Sequence, residues 1–429
     1  MIEVVSSRTA EIRRLAKAND GSAEHMLANL LSDLFQLDVQ NVTINRDQYS
    51  LNSLNGFFDT ADGAFFFKFH QEEGEEAMSG EYYRADILAR AGLPVDQPAL
   101  MSVLPGEQIL VYKRRSDPRF SDVLRALDLK HDEIKAAEAA EAEAQLSRTV
   151  LDVYLKTLTS IEPAQSVAEP VHRLFWERLI DPVTRSYPGG RYASYYVGQR
   201  FSFPGVDLSW DALSRAKFRI NGLLYARTIG ELFDDAYEKL NPSALANAGG
   251  VTAHGDAHNA NVWFEQQAAR PHLSYFDPAF AGDYVPSLLA EIKTTFHNNL
   301  AHPFWLYDPD LACELFSASA SYDDGVLDIT TDWSMTPVRV QLLDVKAREL
   351  WRPLLQALKS KGLLPSDWRT TIRLGLFLCP TLVMNLRAGA MTHNPVSSAI
   401  GLAVAVMAGS PPENGTDMIT EFLDKIEPA

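Results

Sequence analysis

The sequence predicts an α+β protein, a small antiparallel sheet unit followed by a larger, mainly helical part. Three observations carry this. Between residues 42 and 69, β-rich runs are separated by the turn segments Asn55-Gly56 and Ala61-Asp62-Gly63. A helix and two more short strands come next, giving the order β-β-β-α-β-β. Beyond residue 114 helical periodicity recurs, interrupted by one strand-like pair at 262–276.

Each element has a local reason. Ile12, Leu15, Met26, Leu30, Leu31 and Leu34 recur at helical spacing across 9–36, which predicts one or two opening helices. Val42–Leu51 alternates at period two, Phe57-Phe58 follows a turn, and the run 64–69 (AFFFKF) follows another. A helix over about Glu75–Ala91 is stopped by Gly92 and Pro94. Strands at Ala99–Leu104 and Gln108–Lys113 are joined by Pro105-Gly106-Glu107, and the polar stretch Arg114–Asp122 closes the unit. Residues 131–148 are Ala/Glu-rich with few large apolar side chains, so a half-exposed surface helix is expected there. Helical patterns recur at 171–181, 209–240, 286–300, 340–359, 369–388 and 396–408, with no internal repeat and no long low-complexity linker.

Composition narrows the function. In 429 residues, 39 Lys+Arg against 56 Asp+Glu leave a formal net charge of −17. That balance opposes non-specific binding to nucleic acid or to an anionic membrane, both of which need clustered cations. Hydrophobic residues make up 46% of the chain, enough for a sizeable core and against global disorder. Cys313 and Cys379 are too few for a disulfide framework and read as buried thiols of a reducing, cytoplasmic compartment. The first twenty residues carry charge throughout and contain no apolar signal-peptide core. The longest apolar runs, Leu374–Met384 and Ala399–Met407, fall short of the ~20 residues that span a bilayer.

The chemistry concentrates around the lone strand pair. Before it stands 254–261, HGDAHNAN; at its end stand Phe276-Asp277-Pro278. A loop carrying Asp256 is closed by Asn261, and a hairpin brings Asp277 back beside Asn261. One carboxylate, one carboxamide and a second carboxylate then converge. Hard oxygens of this kind suit Mg²⁺, which binds through one or two carboxylates plus substrate phosphates. The remaining carboxylate is left to accept a proton from a hydroxyl.

The pattern H-G-D-x-H-x-x-N, followed about twenty residues later by a strand ending in D-P, resembles the aminoglycoside phosphotransferase and choline kinase branch of the protein-kinase-like superfamily. The resemblance extends to Lys68 in FFFKFH and to a helix holding Glu81 and ending in ARAGLPV, so it runs from about 42 to 295. It implies a two-lobed fold: an N-terminal helical extension (1–37), a nucleotide-binding N-lobe (38–113), and a helical C-lobe (114–429) with the catalytic loop and the acceptor-binding helices. It implies an ATP-dependent kinase that phosphorylates a hydroxyl of a small molecule such as a sugar, amino sugar, aminoglycoside or amino alcohol. By the same resemblance Asp256 is the catalytic base, and Asn261 and Asp277 hold Mg²⁺. Lys68 contacts the α/β-phosphates, Glu81 pairs with Lys68, and the strand Ile109–Lys113, with Val111 and Tyr112, meets adenine through its backbone. His258 either stabilises the loop or approaches the transferring phosphate. His254 packs beneath the site. A soluble monomer or homodimer is expected, with no nucleic-acid or membrane partner.

The sequence departs from that pattern in two places. Residues 53–56 (SLNG) hold one glycine and no GxGxxG, and Pro-Ala follows Asp277 where protein kinases have Phe-Gly. The long gap from Lys68 to Asp256 suggests inserted helices, at 114–150 or 185–215.

Alternatives stay open at this level. A metal-dependent phosphoesterase using His254, Asp256 and His258 would need further ligands. An inactive binding protein on the kinase fold need not keep Lys68, Asp256, Asn261 and Asp277 together. Lys68 could lie at an edge with its amine in water. The tryptophans at 176, 210, 305, 333, 351 and 368 could line a pocket or fill the core. Asp234-Asp235 and Asp323-Asp324 could attract a cationic acceptor or be solvated. Asp283 could be a second acidic site residue or a helix cap.

Overall fold

The computed structural model describes residues 8–45, 54–69, 84–102, 104, 107–266 and 270–429. It divides into two compact units, Met1–Asp86 with Val95–Asp117 and Ile87–Pro94 with Pro118–Ala429.

The first unit is a five-stranded antiparallel sheet with two helices. Strands β1 (Gln40–Ile44), β2 (Asn55–Thr60), β3 (Gly63–Phe69), β4 (Leu100–Ser102) and β5 (Ile109–Lys113) take the order β1-β2-β3-β5-β4. Alternation explains the FFFKF run. Phe65, Phe67 and Phe69 are buried on one face, while Phe66 and Lys68 lie on the other. The buried face packs against helices Arg8–Lys17 and Ser22–Phe35, whose Ile12, Leu15, Leu27, Leu30 and Leu31 share one core with Phe58, Phe67, Ile109 and Val111. The described part of the helix expected at 75–91 is Ala85–Ala91.

In the second unit the Ala/Glu-rich segment forms the helix Glu133–Thr157, capped by the Asp132 carboxylate, which accepts from the Ile134 and Lys135 amides. Its alanines make the buried face (Ala136, Ala139, Ala140, Ala144). It is not a plain solvated helix, because Glu143 is buried and pairs with Lys346 at 3.1 Å. Lys346 also reaches Glu291 at 3.0 Å, and Tyr154 donates to Glu291 at 2.6 Å. Burial pulls the Lys346 pKa down, yet the two carboxylates outweigh it and hold the amine above its usual range.

The expectation of one strand pair in an otherwise helical part fails at two places. Within 209–240 only Trp210–Leu213 and Ile229–Lys239 are helical; between them β8 (Lys217–Ile220) and β9 (Leu223–Leu224) form a hairpin. Here β6 (Arg200–Phe203) and β7 (Val206–Ser209) also pair just upstream. Downstream of the site, β14 (Ala318–Asp323) and β15 (Val326–Thr331) form another hairpin and join the first in a sheet of order β14-β15-β8-β9. The turns are Asn221-Gly222 and Asp324-Gly325, all four residues at positive φ, the backbone that tight two-residue hairpins require. The intervening strands, β10 (Gly250–Ala253), β11 (Val262–Glu265), β12 (His272–Tyr275) and β13 (Gly282–Pro286), carry the site.

All six of the tryptophans weighed above are buried. Asp234 accepts from Tyr187 at 2.6 Å and Asp235 pairs with Arg227, so that acidic pair has structural partners. Cys379 is buried as expected, whereas Cys313 is exposed, because it sits on the outer side of the short helix Pro309–Leu315. No helix among the described residues is long and apolar enough to cross a membrane.

Candidate active site

β10 and β13 pair antiparallel, with Val251 opposite Val285 and Ala253 opposite Gly282. The chain leaves β10 at His254 and enters a tight loop. Gly255 has φ +76, and a Cβ there would stand 2.5 Å from the Phe280 carbonyl oxygen, so this position needs glycine twice over. The loop closes through a short helical turn, Asn259–Asn261, into β11.

The β11–β12 register sets the rest. Val262 faces Tyr275, and the Phe276 amide donates to the Asn261 carbonyl at 3.0 Å. Asn261 and Asp277 therefore lie at the same end of one hairpin. Asp277 has φ +54, a left-handed backbone that turns the chain out of β12. Asn261 Nδ2 donates to the Asp256 carbonyl at 2.9 Å and locks the loop. That bond fixes the amide's orientation, so its Oδ1 faces away from the loop as an acceptor.

Two side chains approach the Asp256 carboxylate. Lys293 Nζ lies 3.4 Å from Oδ1, and His258 Nε2 lies 4.0 Å from Oδ2. Lys293 is buried on the helical turn Ile292–Thr295 and also reaches His297 Nε2 at 3.2 Å. His297 in turn bonds the Tyr307 hydroxyl through Nδ1. The sequence reading assigned nothing to Lys293 or His297. Their only local signal was a lysine four residues before a histidine, the spacing that puts both on one helix face.

His254 is structural. Its Nδ1 accepts from the Asp256 amide at 3.3 Å, so its Nε2 carries the proton and donates to the Phe276 carbonyl at 3.0 Å. Both ring nitrogens are spent on backbone. Asn298 is a further residue the sequence did not mark. Its Oδ1 accepts from the Asn259 amide at 2.7 Å, and its carbonyl accepts from Arg339 at 2.7 Å. Arg339 grips the fully buried Asp128 with Nε and Nη2. A buried ion pair thus holds the Asp256 loop in place from below.

Asp283 lies on β13, and its Oδ1 accepts from Thr252 Oγ1 at 3.2 Å across the strand pair. It neither caps a helix nor joins the Asp256 group. Lys68 is half-buried on β3 of the first unit, opposite Leu110 of β5. Ile109 and Val111 are buried in that unit's core, and Tyr112 lies opposite Phe66. Residues 109–111 are laddered on both edges, to β3 and to β4. Glu81 lies outside the described residues.

Burial holds six histidines below their ordinary pKa: His172 and His393 at about 4, His254 and His258 lowered, His297 and His302 well below. A depressed folded-state pKa gives stability that is complete above the unfolded value and is lost as pH falls through the folded one. Stability should therefore fall between about pH 6.5 and pH 4, by on the order of 1–2 kcal/mol each at pH 5 for His172 and His393. Urea midpoints at pH 7 and pH 5 measure this; equal midpoints would contradict it.

No known protein-family profile matches the chain, and no curated protein matches it. Solved structures do match along most of its length. A spectinomycin phosphotransferase in complex with ADP and spectinomycin matches at 12% identity, covering 89% of this chain and 98% of that one, with a TM-score of 0.36. A putative fructosamine-3-kinase from Thermobifida fusca matches at 16% identity with the same coverages and TM-score. An ethanolamine kinase from Plasmodium vivax matches at 10% identity over 99% of this chain and 98% of that one, again at 0.36. Overlaps of this size leave the functional argument to the chain's own residues.

Proposed function

We propose that this chain is an ATP-dependent phosphotransferase that moves the γ-phosphate to a hydroxyl of a small molecule, its two units being the N-lobe and C-lobe of a protein-kinase-like fold. The observation that carries the reading is the locked loop: Asn261 bonded to the Asp256 carbonyl, with Asp277 next to Asn261's backbone partner. Asp256 accepts the proton of the acceptor hydroxyl. Lys293, with Nζ 3.4 Å from Oδ1, is the cation beside that carboxylate. Asn261 Oδ1 and the Asp277 carboxylate are the hard-oxygen pair that would hold Mg²⁺. Mg²⁺ takes most of its ligands from substrate phosphates and water, so two protein oxygens are enough to seat it. When bound, Mg²⁺ supplies neutralisation of the phosphate charge.

Lys68 is assigned to the nucleotide phosphates and Glu81 to pairing with Lys68. Ile109, Val111 and Tyr112 lead the chain toward the base; with 109–111 laddered on both edges, the backbone past β5 is what remains to meet adenine. His258, at 4.0 Å from Asp256, is assigned to the transferring phosphate. The free thiols Cys313 and Cys379 suit a cytoplasmic setting. The phosphoesterase reading loses ground, because His254 has no nitrogen left for a metal.

The test is ADP release from Mg·ATP in the presence of hydroxylated metabolites. Asp277→Ala should abolish the Mg²⁺-dependent part of nucleotide binding measured by calorimetry. Unchanged affinity with and without Mg²⁺ would remove Asp277 from the metal site.

A further inference from the structure

Two neighbouring arginines, one of them within the field of Asp256, have no acid to pair with among the described residues. Arg178 comes from the turn Trp176–Leu179, and Arg191 from the short helix Gly190–Tyr195. Both reach the carbonyl end of helix Trp368–Val383. Arg178 Nη1 donates to the Leu382 carbonyl at 3.3 Å; Arg191 Nη1 donates to the Leu382 and Val383 carbonyls at 3.0 and 3.2 Å. Those bonds use one nitrogen of each guanidinium. A guanidinium has five N–H donors, so most of the fork on each side chain is unused. No carboxylate lies within 4.0 Å of either among the described residues. A third arginine, Arg387, follows the same helix end, and its buried Nε has no hydrogen-bond partner.

Placing two guanidiniums side by side is unfavourable. Burial, and then the like charge of Arg191, pull the Arg178 pKa down to about 10. The helix end offers only a partial negative charge in return. The one carboxylate whose field reaches Arg178 is Asp256. Cys379, one turn before Leu382 on that helix, feels Lys293, Arg178 and Asp256 together, so Arg178 lies within the field of the Asp256 loop. Several buried cations are met by acids: Arg339 by Asp128, and Lys346 by Glu143 and Glu291. Arg373, which clamps another helix end without an acid, spends both Nη atoms, on the Met407, Ala408 and Ser410 carbonyls and the Thr420 hydroxyl. Arg178 and Arg191 each commit a single Nη.

We propose that Arg178 and Arg191 form a recognition fork for an oxyanion on the acceptor, so that the substrate is a hydroxyl compound bearing a carboxylate or a phosphate ester. The proposal rests on the phosphotransferase reading of Asp256. Charge-assisted, bidentate bonds from a guanidinium are the strongest way to hold such a group, and they would fix the acceptor with its hydroxyl toward Asp256. A fork of this kind reverses the expectation from net charge alone, which favours a neutral or cationic acceptor.

The experiment uses the full chain and two matched series: glycerate, glycerol 3-phosphate, glycerol and serinol; gluconate, glucose 6-phosphate, glucose and glucosamine. Calorimetric titration in the presence of Mg·ADP and ADP release from Mg·ATP are both read. The carboxylate and phosphate members should bind at least about 10-fold tighter than their neutral and cationic partners, and the two anionic arms tell which oxyanion is used. Arg191→Gln should raise the KM for the anionic acceptor about 10–100-fold without changing the KM for ATP, and Arg191→Lys should recover part of the loss. Equal or weaker binding of every anionic member, or an Arg191→Gln variant with unaltered acceptor KM and a lowered melting temperature, overturns the fork and leaves a helix-end clamp. Absence of Mg·ADP binding in the same cell is a different outcome, since it overturns the phosphotransferase reading itself.

Discussion

Asp256→Asn should lower acceptor-dependent turnover by about 10²–10⁴-fold while leaving nucleotide affinity within a few-fold of the parent. The substitution keeps the shape of the side chain and an oxygen toward Lys293, so the loop should still form. The Asn261 bond to residue 256 is made by the backbone carbonyl and survives the change. What is lost is the proton acceptor. Removing its charge also leaves Lys293 and Arg178 without the carboxylate that faces them, so a modest loss of stability should accompany the loss of rate. Single-turnover rates with saturating Mg·ATP separate the two effects. Turnover within a few-fold of the parent would take the base role away from Asp256.

Arg339→Met should destabilise the second unit by about 3–5 kcal/mol, the usual cost of stripping one partner from a buried ion pair. Asp128 is left with the Thr336 hydroxyl at 2.6 Å and His302 at 4.0 Å, too little for a fully buried carboxylate. The effect should reach the site as well. Arg339 holds the Asn298 carbonyl, and Asn298 holds the Asn259 amide next to Asn261. Amide exchange at Asn259 should therefore speed up in the variant even under conditions where the unit stays folded. The double variant Asp128→Leu/Arg339→Met should recover much of the stability, because no charge is then stranded, while the Asn259 amide stays less protected. Denaturant midpoints and hydrogen exchange read these outcomes. A single variant as stable as the parent would show that the pair is not what holds the loop.

How much of this was legible in the sequence depends on the range of the interaction. The first unit was written locally: turn residues, period-two alternation and the FFFKF run place β2, β3 and β5 where they are found. The loop was legible too, since its glycine, its histidine bonds and the Asn261 closure are all made within about twenty residues of one another. The two missed hairpins were legible in principle. Asn221-Gly222 and Asp324-Gly325 are turn pairs at positive φ, but the first lies inside a stretch of helical periodicity and the second in a stretch with no clear period. In the structure the strands win because β8 pairs parallel with β15, a contact made across more than one hundred residues.

The partners of Asp256 could not be read the same way. Lys293 and Asn298 reach the loop from one stretch downstream of β13, and Arg178 faces it from a turn upstream of β6, with no local pattern to set them apart from surface residues. By itself the sequence determined the 254–261 loop, the Asn261–Asp277 hairpin end and the small sheet, because those depend on neighbours in the chain and on backbone preference. The tertiary structure alone decided which charges surround the loop. Packing brings Lys293 against Asp256, buries Asp128 under Arg339, and gathers two unpaired arginines at one helix end. Burial makes each of those charges costly unless something opposite meets it, and that cost is visible only once the chain is folded.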